Sequence, residues 1–264
     1  MSTDLFRLDQ SFSVVTGASG WLGTAMVEAL AEAGSAVLAV ARGKEALESL
    51  AERLRGQGLD VTALATDVTG PQWPDQLRSA AAARGRLDVL VNNAHVGRGG
   101  SLRTSVAADF DEAFALAVTS AWTAIGAARD GLVASAAAGG SASIVNIASM
   151  YGLVAPDFGI YGSEETRNPP FYGAAKAALI QLTKYAAAEL GPEGIRVNCI
   201  APGPFPGPAA QEDTTFTAAL AAHTLLGRVG EPQDLKTALL FLASPHTRFV
   251  TGATIPVDGG WTTR

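Results

Sequence analysis

A chain of 264 residues, 48% apolar and only 17% charged, can bury a large core and is too apolar for disorder. Its formal charge of −6 gives no attraction to nucleic acid or to an anionic membrane surface. Cys199 is the single cysteine, which excludes an intramolecular disulfide or a cysteine metal cluster and fits a reducing cytoplasm. The three histidines are scattered without metal-ligand spacing, so no metal is expected. No charge occurs between Asp130 and Asp157, but Gly139-Gly140-Ser141 interrupts that run and small residues dominate it. It therefore predicts a helix end, a turn and a buried strand, not a membrane span. Met1-Ser2-Thr3-Asp4 lacks the basic and apolar regions of a secretory signal, and a soluble cytoplasmic protein is expected.

In chain order, Phe12–Thr16 predicts a strand running into Thr16-Gly17-Ala18-Ser19-Gly20-Trp21-Leu22-Gly23 and a helix through Ala33. Strand, glycine turn and helix together make a phosphate cradle. Glycines let the backbone approach a pyrophosphate, and the helix N-terminus offers unpaired N–H groups. Ala36–Ala41 predicts a second strand, with Arg42 next. Lys44–Arg55 predicts an amphipathic helix with Leu47, Leu50 and Leu54 on one stripe. Val61–Ala65 is a third strand ending at Thr66-Asp67-Val68. A helix from about Pro74 to Arg84 precedes a fourth strand, Leu87–Val91, which runs into Asn92-Asn93-Ala94. An alanine-rich helical region spans roughly Val106 to Ala138, with a break expected near Gly131. Ile144–Ala148 is a fifth strand, ending at Ser149. A helix begins at Pro170, followed by strand Arg196–Ile200, a Pro/Gly segment from Pro202 to Pro208, and a helix over about Gln233–Ala243. Thr254–Val257 closes at Gly259-Gly260.

Strands alternating with helices predict an α/β doubly wound parallel sheet of about seven strands, with helices on both faces. No composition break or fixed-period repeat divides the chain, so residues 1–264 are expected to form one domain carrying every site. Two longer irregular segments, 153–168 and 203–215, follow strand ends, where ligands of open α/β sheets bind. They are the candidate substrate walls.

The helix beginning at Pro170 places Tyr172 and Lys176 four residues apart, on one face. A free phenol, with a pKa of about 10, exchanges protons poorly at neutral pH. Bringing it to about 7 takes about 4 kcal/mol of phenolate stabilisation. An ammonium at about 4 Å and an effective dielectric near 20 supplies about that much. Burial opposes it, so a second positive centre such as an oxidised nicotinamide would help.

In this order and spacing the pieces resemble the short-chain dehydrogenase/reductase family, over about Phe12 to Trp261. The resemblance rests on Thr16-Gly17…Gly23, Asp67-Val68, Asn92-Asn93-Ala94, Ser149, Tyr172…Lys176, Asn198, Pro202-Gly203 and Val257-Asp258-Gly259-Gly260. It implies a Rossmann-like fold, a nicotinamide dinucleotide cofactor, a small carbonyl or alcohol substrate, and commonly a homotetramer. It also implies roles. Tyr172 is the general acid or base, Lys176 lowers its pKa and holds the nicotinamide ribose, and Ser149 orients the substrate oxygen. Gly17, Ser19, Gly20, Trp21, Leu22 and Gly23 border the pyrophosphate. Asp67, Val68, Asn93 and Ala94 lie on the adenosine side, and Pro202 and Gly203 complete the cofactor contacts. Substrate contacts fall to His95, Met150, Tyr151 and Phe205.

The alternatives at single positions are specific. Ser149 also suits a turn cap, Asp67 equally an N-cap compatible with adenine contact, and His95 a packed side chain. Tyr161 rivals Tyr172 as proton donor, although Glu165 stands where a lysine would be needed. The absence of an acid at Ala41 and the presence of Arg42 favour NADP(H) over NAD(H). Ala117 stands where the family usually carries an asparagine that holds a relay water, a task open to Thr119 or Ser120 if the helix is irregular. The expected activity is interconversion of a ketone or aldehyde and its alcohol. The alternatives are a 3-oxoacyl-thioester reductase, or a weakly catalytic dinucleotide-binding sensor or scaffold. Asp157, Glu164, Glu165 and Arg167, before Tyr172, raise a polar, sugar-like ligand as a further option.

Overall fold

The computed structural model describes residues 5–95 and 97–263; Met1 to Asp4, read above for a signal, lie outside them. The apolar runs form strands β1 (Phe12–Thr16), β2 (Ala36–Ala41), β3 (Val61–Ala65), β4 (Val89–Asn92), β5 (Ser143–Ile147), β6 (Arg196–Pro202) and β7 (Thr254–Val257). They pair in parallel in the order β3-β2-β1-β4-β5-β6-β7. This is the doubly wound sheet that the alternating pattern predicts.

Burial on both faces explains the unbroken apolar runs. Val14, Leu90 and Ile144 face α3 (Trp73–Arg84), α5 (Ser120–Ala137) and α6 (Pro170–Leu190), meeting Trp73, Leu77 and Leu132. Val15, Val91 and Val145 face α1 (Trp21–Glu32), α2 (Lys44–Arg55) and α9 (Pro232–Ala243), meeting Met26, Leu47 and Leu239. The strand order reverses between β1 and β4, so the connections leaving their carboxyl ends diverge and open a crevice.

Two helical expectations change. α5 runs through Gly131 without a break. A Cβ there would sit 3.0 Å from Ala81 Cβ and 3.2 Å from the Leu87 backbone nitrogen, so this glycine marks a close approach between α5 and its neighbours. The irregularity lies earlier, as a π-helical turn over Ala115–Thr119 between α4 (Ala107–Phe114) and α5. The segment 203–215 is also more regular than expected. It contains the short α7 (Pro208–Gln211) and leads into α8 (Thr214–His223), whose first turn is capped by the Asp213 carboxylate accepting from Phe216 N–H at 2.9 Å. Among the described residues, no helix is long and apolar enough to cross a membrane.

Candidate active site

The glycine turn after β1 is held by its neighbours. Gly17 has φ +64°, and a Cβ at Gly23 would lie 2.1 Å from the Gly17 carbonyl oxygen, so neither position has room for a side chain. Thr16 Oγ1 accepts from the N–H of Asn93 at 3.0 Å, and Asn93 Nδ2 donates to the carbonyls of Thr16 at 3.2 Å and Gly17 at 3.1 Å. The ends of β1 and β4 are thereby tied together. Gly20 caps α1, leaving the N–H groups of Trp21, Leu22 and Gly23 at the helix mouth, with no acidic residue in its first turn.

Beside this turn is a cleft of about 230 Å³ lined by Gly17, Ser19, Gly20, Arg42, Asp67, Val68, Ala94 and His95. Arg42 is exposed there. Asp67 Oδ1 accepts from Thr69 N–H at 2.9 Å and its hydroxyl at 2.8 Å. These bonds, backbone first, hold the carboxyl below its usual range, with a smaller contribution from the Arg42 charge. His95 Nδ1 lies 3.3 Å from Asn93 O. Desolvation, then the Lys176 charge, moves its imidazole down to about 4. The side chain is solvent-exposed, so the desolvation is only partly felt; with or without it, the ring is neutral at physiological pH.

Ser149, Tyr172 and Lys176 meet where β5 ends against α6. The Lys176 ammonium, 2% exposed, donates to Ile147 O at 2.7 Å and lies 5.6 Å from the centre of the Tyr172 ring. A buried polar chain anchors the same helix. Asn92 Nδ2 donates to Asn146 Oδ1 at 2.8 Å, Asn146 Nδ2 to Thr183 Oγ1 at 2.9 Å, and that hydroxyl to Leu179 O. The Ser149 hydroxyl accepts from Tyr151 N–H at 3.1 Å and lies close enough to the Tyr172 phenol to favour its ionised form. The bond to Tyr151 N–H is the turn cap that Ser149 suits by sequence.

The electrostatics correct one expectation. Burial holds the Tyr172 phenol above its ordinary value, opposed by the Ser149 hydroxyl. Burial also pushes the Lys176 ammonium down to about 8. The expected lowering of Tyr172 by Lys176 is thus not what these side chains produce alone. Desolvation wins.

A wall of rings lies within electrostatic reach of Tyr172, through Tyr151 and Tyr161. Met150, Ile160, Leu220 and Trp261 form its buried part, with Tyr151, Tyr161 and Phe216 packed against it. Of the expected substrate contacts, Met150 and Tyr151 belong to this wall. Phe205 does not, because it packs on the α1/α9 face of the sheet and its ring occupies the space beside Gly230. Pro202 ends β6, and Gly203 N–H donates to Val257 O at 2.9 Å. Phe216, Leu220 and Trp261 are not singled out by the sequence, although Asp213 ahead of an alanine-rich stretch is a legible helix start. Ala117 is buried among Ala113, Phe171 and Ala175, next to Tyr172. Thr119 is exposed, and the Ser120 hydroxyl donates to Leu116 O. The helix is irregular there, as a substitute relay needs, yet neither hydroxyl is bonded to Lys176.

A cavity of about 610 Å³ lies on the other side of α6, lined by Pro170, Gly173, Ala174 and Ala177. Tyr172 and Lys176 do not line it, whereas Tyr151 does. Among the described residues, no group of three or more His, Cys, Asp or Glu is placed to hold a metal ion.

Residues 17–262 match a family model described as enoyl-(acyl carrier protein) reductase. An oxidoreductase from Mycobacterium tuberculosis is 36% identical over 266 residues, covering 99% of this chain and 96% of that protein. A rhamnolipids biosynthesis 3-oxoacyl-[acyl-carrier-protein] reductase from Pseudomonas aeruginosa is 34% identical over 260 residues, covering 97% and 98%. A gluconate 5-dehydrogenase from Burkholderia cenocepacia, solved with NADP and tartrate, superposes with a TM-score of 0.84 at 30% identity, covering 99% and 98%.

Proposed function

This chain belongs to the short-chain dehydrogenase/reductase family, and we propose that it interconverts a ketone or aldehyde and its alcohol, preferring NADP(H) to NAD(H). The observation that carries the reading is the convergence of Ser149, Tyr172 and Lys176 at one end of the sheet that holds the glycine turn. The cofactor fits the residues present. Gly17 and Gly23 leave open a cradle that any Cβ would fill, and the N–H groups at the start of α1 suit a pyrophosphate. Ser19 and Gly20 border it, Asp67, Val68, Asn93 and Ala94 serve the adenosine side, and Pro202 and Gly203 complete the contacts. When bound, the nicotinamide supplies or accepts the hydride.

The side chains do the rest. The Tyr172 hydroxyl gives its proton to the substrate oxygen in reduction and takes it back in oxidation. Ser149 bonds that oxygen and the phenol, holding both in line. Lys176, fixed by Ile147 O, places a positive charge beside the phenol and is the residue to hold the nicotinamide ribose.

Arg42 carries the cofactor preference. It lines the same cleft as the turn, and Ala41 before it offers no carboxylate to repel a 2′-phosphate. In initial-rate assays with a diketone, Arg42→Ala should weaken NADPH by about ten- to hundredfold. It should change NADH by less than about threefold. Equal losses, or a wild type that favours NADH, would overturn the preference. Binding of NADPH without turnover of any carbonyl would instead favour a dinucleotide-binding protein.

Reduction of a 3-oxoacyl thioester is the second reading, supported by the relative from Pseudomonas aeruginosa. We place the protein in the cytoplasm as a homotetramer. Trp122 on α5 and Tyr185 on α6 are 64% and 67% exposed beside a shared groove, a face suited to a second copy. Sedimentation at assay concentration should give a tetramer in which Trp122→Glu dissociates subunits; a stable wild-type monomer would refute it.

A further inference from the structure

We propose that the substrate is an uncharged ketone or alcohol carried on a compact apolar body, a ring above all, selected by the wall that Tyr151, Tyr161, Phe216 and Trp261 form. This rests on the preceding reading of Tyr172 as proton donor. Residues distant in sequence build the wall. Tyr151 follows β5, Tyr161 comes from the segment 153–168, Phe216 from α8, and Trp261 from the chain end. Tyr151 meets Trp261 edge-on at 6.4 Å, and Tyr161 meets Phe216 at 5.6 Å. Ring faces and edges of this kind bind apolar surface, with few polar groups to orient it.

The polar capacity of the wall is small and countable. The Tyr151 and Tyr161 hydroxyls are 2.9 Å apart, and the nearby Asn168 backbone partly offsets the burial of the Tyr161 phenol. A phenol has one proton to donate. Whichever hydroxyl donates to the other, one O–H is left for a ligand. Burial is the first cause raising both phenols above their ordinary value, so that donor is neutral.

The charges of the preceding loop are engaged elsewhere. The Asp157 carboxylate lies 2.9 Å from His223 Nε2, whose ring stacks on Trp261 at 5.1 Å. Glu164 accepts from Ser101 at 3.2 Å and lies 3.7 Å from Arg167, which sits over the Phe158 ring and lines the cavity beyond α6. Glu165 is exposed. The charge felt by both wall phenols is Asp157, which is negative and unfavourable to an anionic ligand. The cation behind Tyr172 is Lys176, already bonded to Ile147 O. Arg103 and Arg167 share a cavity with Tyr151 but are paired with Glu164, so a carboxylate brought to the Tyr161, Phe216 and Trp261 side of the wall, beside Asp157, would lose hydration for little gain. The sugar-like option raised by those loop charges is therefore disfavoured.

The test compares kcat/KM, with saturating NADPH, for four probes: butane-2,3-dione, 2-tetralone, 5-keto-D-gluconate and acetoacetyl-CoA. The dione is small and needs no wall, so it reports on Tyr172 alone. We expect 2-tetralone to exceed 5-keto-D-gluconate by about a hundredfold or more. Phe216→Ala should lower the ratio of kcat/KM for 2-tetralone to that for the dione about tenfold. Reduction of the dione, with 5-keto-D-gluconate or acetoacetyl-CoA equal to or better than 2-tetralone, would overturn this inference and leave the role of Tyr172 standing. An unchanged probe ratio in folded Phe216→Ala would remove the wall from specificity. No turnover of any probe would defeat the reading of Tyr172 and this inference with it.

Discussion

Tyr172→Phe should lower turnover by about 10²–10⁴-fold, the usual value of a positioned general acid, with little change in NADPH affinity. The substitution removes one oxygen and leaves the ring packed against Phe171, Ala113 and Ala117. Tyr161→Phe is the control. Its hydroxyl bonds Tyr151 and is not bonded to Ser149, so it should cost less than about tenfold. The opposite ranking of the two variants would move the proton donor to Tyr161.

The pH profiles carry the same assignment with opposite signs in the two directions. Burial raises the Tyr172 phenol, so the proton-donating form prevails through neutrality and reduction should be flat there. Oxidation needs the phenolate and should climb as pH rises. Lys176 loses its charge as pH passes about 8, which withdraws support from the phenolate, so the climb should slacken above that point. A reductive rate falling steeply between about pH 6 and 8 would contradict the raised phenol.

Gly23→Ala should weaken NADPH by about a hundredfold or more, since a displacement on the order of 1 Å in a positioning loop costs about that much. Its Cβ would meet the Gly17 carbonyl oxygen at 2.1 Å, and both partners are backbone that Thr16 and Asn93 hold in place. Overpacking should also cost about 1–3 kcal/mol of stability. Gly43→Ala serves as the companion. It lines the same cleft, yet a Cβ there meets nothing within 4 Å, so affinity should hold, with at most about 1 kcal/mol of stability lost because Gly43 is the N-cap of α2. Fluorescence titration and thermal unfolding of both variants decide the matter. A folded Gly23→Ala that binds NADPH within about threefold of wild type would show that this turn does not cradle the cofactor.

What the sequence by itself determined is local or periodic. The strands appear as apolar runs because a parallel sheet covered on both faces buries every second and every intervening residue alike. Tyr172 and Lys176 share a face because they are four apart on a helix, and the Gly17…Gly23 turn is recognisable because glycine at a tight turn answers to its immediate backbone. The tertiary structure decided whatever depends on which distant atoms come near. Gly131 looks like a helix break in one dimension and is a contact with Ala81 and Leu87 in three. Phe205, placed in the substrate site by its position after β6, turns to the opposite face of the sheet. Trp261, Phe216 and Tyr161 become one wall only when the segment before α6, α8 and the chain end pack together. The direction of the Tyr172 shift follows the same rule. Spacing puts a lysine within reach, but desolvation depends on every element packed around the phenol, and that is a property of the folded chain.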